Sequence, residues 1–217
     1  MAVITIFGGN GKIARRLTKK LVAAGDTVRS VIRNSDQADG LAELGAEPVV
    51  ASVEESDTDA LVDVVSGSDA VVWAAGAGGG NPDRTFAVDR DAAIRSMDAA
   101  GRAGVRRYVM ISYEGARTDH GVPSDNSFFP YAESKAAADA HLRASDLDWT
   151  IVGPGMLTET EGRGTIGVGE GKVESRETSR DDVANVIAEC LANAGSIGKQ
   201  IEFSDGDTPI AEAVVNN

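Results

Sequence analysis

Cysteine and histidine are scarce in this chain, and the scarcity excludes chemistry. One residue in 217 is cysteine and two are histidine. A lone Cys190 makes no intrachain disulfide and suits a reducing compartment. With only His120 and His141 beside it, the ligands are too few for a Cys/His zinc site, so no metal is expected. Basic residues are also in deficit: 21 Lys and Arg against 34 Asp and Glu leave a net charge of −13. A surface so acidic repels phosphate backbones and anionic lipid, which excludes nucleic acid and membrane as partners. Long apolar runs are missing too. The first, Ala2–Phe7, ends in glycine and lacks the basic start of a signal peptide. No run approaches the roughly 18 residues needed to cross a bilayer. A cytoplasmic location is expected. What remains is ordinary: 42% hydrophobic and 25% charged residues, as in soluble globular proteins. The length suits one domain, which would bury roughly 70% of its unfolded surface.

Apolar periodicity alternates between strand and helix. Val3–Phe7 reads as a strand. Ile13, Leu17, Leu21 and Val22 set a helix over Lys12–Ala24, stopped by Gly25. Further strands are expected at Thr27–Ile32, Ala46–Ala51, Asp69–Ala75, Val105–Ile111, Asp148–Val152 and Lys199–Phe203. Helices are expected at Asp36–Leu44, Ser56–Val65, Asp83–Ala103 and Tyr131–Ala144. A last helix, capped by Ser179 with Asp182 three positions on, runs to Ala192. Gly115–Phe129 is a polar loop. After Pro154, glycines break Thr165–Val168 and Lys172–Glu174 into short strand pieces. This alternation specifies an α/β fold, a doubly wound parallel sheet of the Rossmann type with helices on both faces. One domain is expected over residues 1–217, with 154–178 and 195–217 forming a small lobe over the ligand cleft.

Gly8-Gly9-Asn10-Gly11-Lys12-Ile13-Ala14 lies where the first strand passes into the first helix. Glycine there lets backbone N–H groups approach a pyrophosphate, and the helix N-terminus favours the anion. A dinucleotide is the expected ligand. In that fold the end of the second strand faces the adenine ribose, where an acid would bond the 2′-hydroxyl of NAD. The stretch here is Val31-Ile32-Arg33-Asn34-Ser35, with no acid before Asp36. Arg33 can pair with a 2′-phosphate, helped by Ser35 and Lys12, so NADP (NADPH) is expected over NAD.

Six segments in order resemble the short-chain dehydrogenase/reductase superfamily, in its atypical, NmrA-like branch of small NAD(P)-binding proteins once labelled epimerase or dehydratase. They are the glycine turn, Val31-Ile32-Arg33-Asn34, Ala74-Ala75-Gly76, Gly104–Ser112, Tyr131-Ala132-Glu133-Ser134-Lys135 and Pro154-Gly155-Met156-Leu157. The resemblance implies that Gly8, Asn10 and Gly11 form the phosphate turn and that Ser52 and Val53 flank the adenine. It places Ala74, Ala75 and Gly76 under the nicotinamide ribose, and Pro154 and Gly155 near the carboxamide. It makes Ser112, Tyr131 and Lys135 the catalytic group. Two features depart from the pattern. Tyr113 stands where many relatives carry a second serine, and the segment after Pro154 is shorter than the substrate domain of sugar epimerases.

Tyr131 and Lys135 are four apart on one helix, so they share a face. A nearby ammonium is expected to lower the tyrosine pKa from about 10. The phenol can then pass a proton to or from a carbonyl oxygen while hydride moves at carbon, with Ser112 donating to the same oxygen. Other candidates read as structural. His120 and His141 are expected at the surface or in structural roles, Asp89 and Asp91 on a solvated helix face, and Trp73 and Trp149 in the core. Cys190 is expected buried and inert on a stripe with Val183, Val186 and Ile187. The alanine face of the tyrosine helix is left open between the sheet and a second subunit. The leading expectation is an NADP-dependent oxidoreductase acting on a small-molecule carbonyl, alcohol, quinone or flavin-like substrate, as a monomer or homodimer. The alternatives are an NADP(H) sensor without turnover and an epimerase or dehydratase.

Overall fold

The computed structural model describes residues 1–169 and 175–216, so the strand piece expected at Lys172–Glu174 lies outside the described residues. The first half alternates β1 (Val3–Phe7), α1 (Lys12–Ala23), β2 (Thr27–Ile32), α2 (Ala38–Ala42), β3 (Glu47–Val50), α3 (Thr58–Val65) and β4 (Ala70–Trp73). The second half runs α4 (Pro82–Thr85), a π-helical segment (Phe86–Ala92), α5 (Ala93–Arg102), β5 (Arg107–Ile111), α6 (Phe129–Ala144) and β6 (Asp148–Pro154). It closes with β7 (Met156–Thr158), β8 (Thr165–Val168), β9 (Glu177–Ser179), α7 (Arg180–Ala192), β10 (Lys199–Pro209) and α8 (Ile210–Asn216).

Eight strands form one sheet in the order β3-β2-β1-β4-β5-β6-β10-β8, parallel except where β8 runs against β10. This is the doubly wound Rossmann arrangement expected. β7 and β9 pair separately as a small parallel sheet. Of the stretches expected to form a lobe, β8 and β10 extend the main sheet instead, and α8 packs on α7.

Strand alternation builds a core on each face. Ile4 and Ile6 of β1 point to a layer with Leu17 and Leu21 of α1 and Val183, Val186 and Ile187 of α7. Phe7 points to the other, with Trp73, Leu61, Met97, Tyr108 and Leu142. Each such side chain contributes about 1.5–3 kcal/mol by leaving water. Cys190 is fully buried in the first layer, and burial pushes its thiol up to about 12, as an inert thiol requires. Trp73 is fully buried, while Trp149 is only partly so. The alanine face of α6 lies within the chain, against the π segment and α5.

Two local expectations changed. Asp83–Ala103 is not one continuous α-helix, because the π segment interrupts it. Ser179 does cap α7, accepting from the Asp181 N–H at 3.1 Å. Asp182, however, turns away from the cap and takes the N–H groups of Arg163 and Gly164 at 2.8 and 2.9 Å.

Arg107 joins four elements. Its guanidinium donates to the carbonyl oxygens of Asp148 and Cys190, each at 2.7 Å, and to the hydroxyls of Thr150 and Ser196, each at 2.9 Å. Removing it strands acceptors that hold β6, the end of α7 and the turn before β10. Arg107→Ala is expected to cost about 2–4 kcal/mol of stability by urea unfolding, with Lys a poor substitute for the fork.

Candidate functional site

β1 and β4 end side by side, and Gly8 is placed by that approach. Its φ is +76°, and a Cβ there would lie 2.6 Å from the Ala75 Cα. A Cβ on Gly9 would meet Ser30 of β2 at 2.6 Å. Gly11 is held by its N–H to the Gly8 carbonyl at 2.8 Å, and a Cβ there would sit 3.1 Å from the same oxygen. Gly11 caps α1 with no side-chain bond, so the first-turn N–H groups face out uncapped. They open on a cavity of about 330 Å³ whose lining includes Gly8, Asn10, Gly11, Arg33, Asn34 and Val53. Backbone donors, a helix N-terminus and room free of side chains fit a pyrophosphate.

Ala74, Ala75 and Gly76 are shared with a second cavity of about 930 Å³. Ile13, Phe128, Tyr131, Lys135, Asp89 and Leu157 are among its lining residues. Continuity through the end of β4 leaves room for one elongated ligand across both cavities.

Below Tyr131 lies a buried polar cluster. Lys135 is 3% exposed; its ammonium donates to the Ile111 carbonyl at 2.8 Å and lies 3.9 Å from Asp89 Oδ1. Asp89 is buried rather than on a solvated face, and its other oxygen accepts from the Ala77 N–H at 2.9 Å. The wide π turn carries it inward, and π turns recur at functional sites. Asp91, by contrast, pairs with Arg90 at the surface. Ser112 is also buried, and its hydroxyl donates to Asp139 Oδ2 at 2.5 Å. Asp139 follows Lys135 by one turn on the same helix face, and burial pushes its carboxyl up to about 6.

Tyr131 departs from expectation. Its phenol is held above the usual tyrosine value, first by burial and then by the charges of Asp89 and Asp139. The Lys135 ammonium, 5.9 Å from the ring centroid, does not offset them. Its ring stacks among Tyr113 and Phe128 at centroid distances of 5.5 and 5.4 Å.

The remaining expected residues scatter. Lys12 points away to Glu159 at 2.8 Å, an acid shared with Arg16 and Arg180. Ser35 is exposed outside the lining, while Asn34 caps the turn after β2 through the Asp36 N–H. Ser52 uses its carbonyl to close the turn after β3, and Pro154 and Gly155 are tied by backbone bonds to Glu114 and Phe203. None of Ser52, Ser112, Pro154 and Gly155 borders either cavity. His120 is locked by Glu133 and the Val122 N–H, and His141 pairs with Asp98. Sequence reasoning missed Asp139, Glu54, Arg84, Phe128 and the Gly78–Gly80 run. Of these only the glycine run, just past β4, left a local signal.

The Asp139 carboxyl gives a stability signature. Its folded pKa stands above the ordinary 3.8, so the native state holds its proton more tightly and its contribution falls as pH rises from about 4 to 6. Asp139→Asn is expected to abolish that part of the slope, worth roughly 2 kcal/mol. Thermal melting of both forms at pH 4 and pH 7 measures it.

Comparison with known proteins bears on the family. A family model described as NAD(P)H-binding matches residues 8–194. A Bacillus subtilis protein called an uncharacterized sugar epimerase, YhfK, is 35% identical over 97% of this chain and 98% of its own. A solved Bacillus halodurans protein named for the NAD-dependent epimerases/dehydratases is 35% identical and superposes with a TM-score of 0.89 over all of both chains. The oxidoreductase YlbE of Lactococcus lactis is 27% identical, with a TM-score of 0.84 over 99% of this chain and 95% of that one. The glycine turn at the head of this sheet, and the family match that spans it, show that the chain belongs to the NAD(P)H-binding family, in the NmrA-like branch of atypical short-chain dehydrogenases/reductases.

Proposed function

We propose that this protein is an NADP(H)-favouring reductase of a small neutral acceptor, a carbonyl, quinone or flavin-like ring, with Tyr131 as proton donor. The observation that carries the reading is the Tyr131 phenol, kept protonated by burial and two carboxylates at the wall of the larger cavity. A phenol held up in this way rests protonated, the state that a reduction draws on, and it yields that proton only to an acceptor that gains negative charge as hydride arrives. A reduced nicotinamide, when bound, supplies hydride. Tyr131 then gives its proton to the acceptor oxygen or nitrogen, and the Lys135 ammonium, 5.9 Å from the ring centroid, faces the phenolate that results without outweighing the two carboxylates. Ser112 reaches a substrate oxygen only by leaving Asp139, so its part here is to hold that carboxylate.

The cavity argues against a nucleotide sugar. A diphosphate needs cations, and among the described lining residues the one cation is Lys135, which is buried, bonded to Ile111 and faced by Asp89. Binding without turnover is the second reading, favoured by the commitment of Ser112 to Asp139.

NADPH oxidation against quinones, flavins and aldehydes separates the two, since a sensor binds and turns over none of them. Tyr131→Phe is expected to lose about 10²–10⁴ in rate with cofactor affinity kept, as for a proton-transfer group. Full activity in that variant would remove Tyr131 from the chemistry. For nucleotide choice the supporting feature is Arg33, which is exposed at the smaller cavity and, among the described residues, bonded there to Glu54. Arg33→Ala is expected to weaken NADPH about ten- to a hundredfold and to leave NADH nearly unchanged in calorimetric titration.

A further inference from the structure

The end of β2 carries no acid, yet the ribose end of the smaller cavity is not without one. Glu54, four residues beyond β3, lines the same cavity as Gly8, Gly11, Arg33 and Asn34. Its carboxylate accepts from Arg84 Nη2 at 2.7 Å, from Arg84 Nε at 3.1 and 3.2 Å, and from Arg33 Nη1 at 2.9 Å. The two arginines hold it differently. Arg84 grips it through two nitrogens and is itself tied to the Ala77 carbonyl. Arg33 makes one contact and its side chain is 62% exposed.

We infer that Glu54 is the nucleotide-selecting carboxylate of this cleft, delivered from the end of β3, and that it limits the preference for NADP(H). The inference rests on the reading that this end of the cavity receives the adenine ribose. An arriving 2′-phosphate can draw Arg33 off its single contact, because a guanidinium with free donors turns readily toward a second anion. Glu54 does not follow, since Arg84 keeps it. The phosphate therefore enters beside a fixed like charge, which opposes it. A ribose 2′-hydroxyl meets the same carboxylate as a hydrogen-bond acceptor, the role an acid after β2 plays in NAD-selective relatives of this fold. Both arginines also hold Glu54 below the usual carboxylate range, the Arg84 hydrogen bond being the largest cause, so it stays charged at neutral pH. Arg33 and Glu54 thus form an opposed pair: one recruits the phosphate and the other recruits the bare ribose.

The test is direct binding of NADPH and NADH to the full chain, titrated at low salt, with melting temperature as a check on folding. Glu54→Gln is expected to tighten NADPH and weaken NADH, raising the NADPH:NADH affinity ratio by about tenfold. The increase should shrink at high salt, where exposed charges are screened. Glu54→Ala is the second variant and should move the ratio the same way if Gln perturbs the fold. A ratio that stays within about twofold of wild type in both, or that falls, overturns the inference. Arg33→Ala, run alongside, separates the two readings. If it weakens NADPH alone while the Glu54 variants do nothing, the Arg33 reading stands and this one fails. If it weakens both cofactors equally while the Glu54 variants shift the ratio, the reverse holds. If neither residue affects either cofactor, the ribose lies elsewhere and both fall.

Discussion

A buried ammonium holds the cleft in shape. Taking a lysine out of water costs several kcal/mol, and the position persists only where partners compensate. Lys135 has three: the Ile111 carbonyl at the end of β5, Asp89 in the π segment, and the nearby charge of Asp139. Each belongs to a different part of the chain or a different turn of α6, so the ammonium fixes their relative positions. Asp89 in turn holds the Ala77 N–H, where the chain leaves β4 for the Gly78–Gly80 run. The wall of the larger cavity, the base of Tyr131 and the floor shared with the glycine turn are therefore set by one charge. Removing any one carboxylate leaves the ammonium undercompensated and also frees a neighbour, so these residues should act as a unit.

The sheet was legible in the sequence because its strands are buried on both faces. Runs such as Val3–Phe7 and Thr27–Ile32 have nowhere else to go, and β1 and β2 fall where the pattern puts them. The glycine turn and the Tyr131–Lys135 pair were legible for a local reason: each depends on spacing within one turn or one helix. Asp139 was not, since its partner Ser112 lies 27 residues away and the pairing exists only after β5 meets α6. Asp89 was misread for a related reason. An α-helical wheel through Asp83–Ala103 puts it on a polar face, and the π segment shifts that register. Lys12 shows the converse. Its position in the first helical turn suggested a phosphate, but Glu159, 147 residues on, takes it instead.

Charge within the cleft is arranged against the charge of the whole chain. The net −13 opposes any phosphorylated ligand at a distance. At the smaller cavity two guanidiniums face one carboxylate, leaving a local excess of one positive charge. At the larger cavity Asp89 and Asp125 face the buried Lys135, and the balance is reversed. A dinucleotide spanning both would have its ribose end in the positive part and its nicotinamide end in the negative part. A neutral acceptor could follow it there, whereas a second anion would be refused.

The negative part has a consequence for the proton. Tyr131 is held above its ordinary value by burial first and by Asp89 and Asp139 next, so losing its proton means adding a third anion to that enclosure. Asp89 is fixed by the Ala77 N–H and by Lys135. Asp139 is different, because its carboxyl titrates near 6, close to neutral. When Asp139 takes up a proton, one of the two charges opposing a Tyr131 phenolate disappears. Ser112 bonds that carboxyl in either state, as donor to the ion or as acceptor from the acid. Asp139 thus acts on the phenol through space from two helical turns away on the same face, and its charge adds to the larger effects of burial and Asp89.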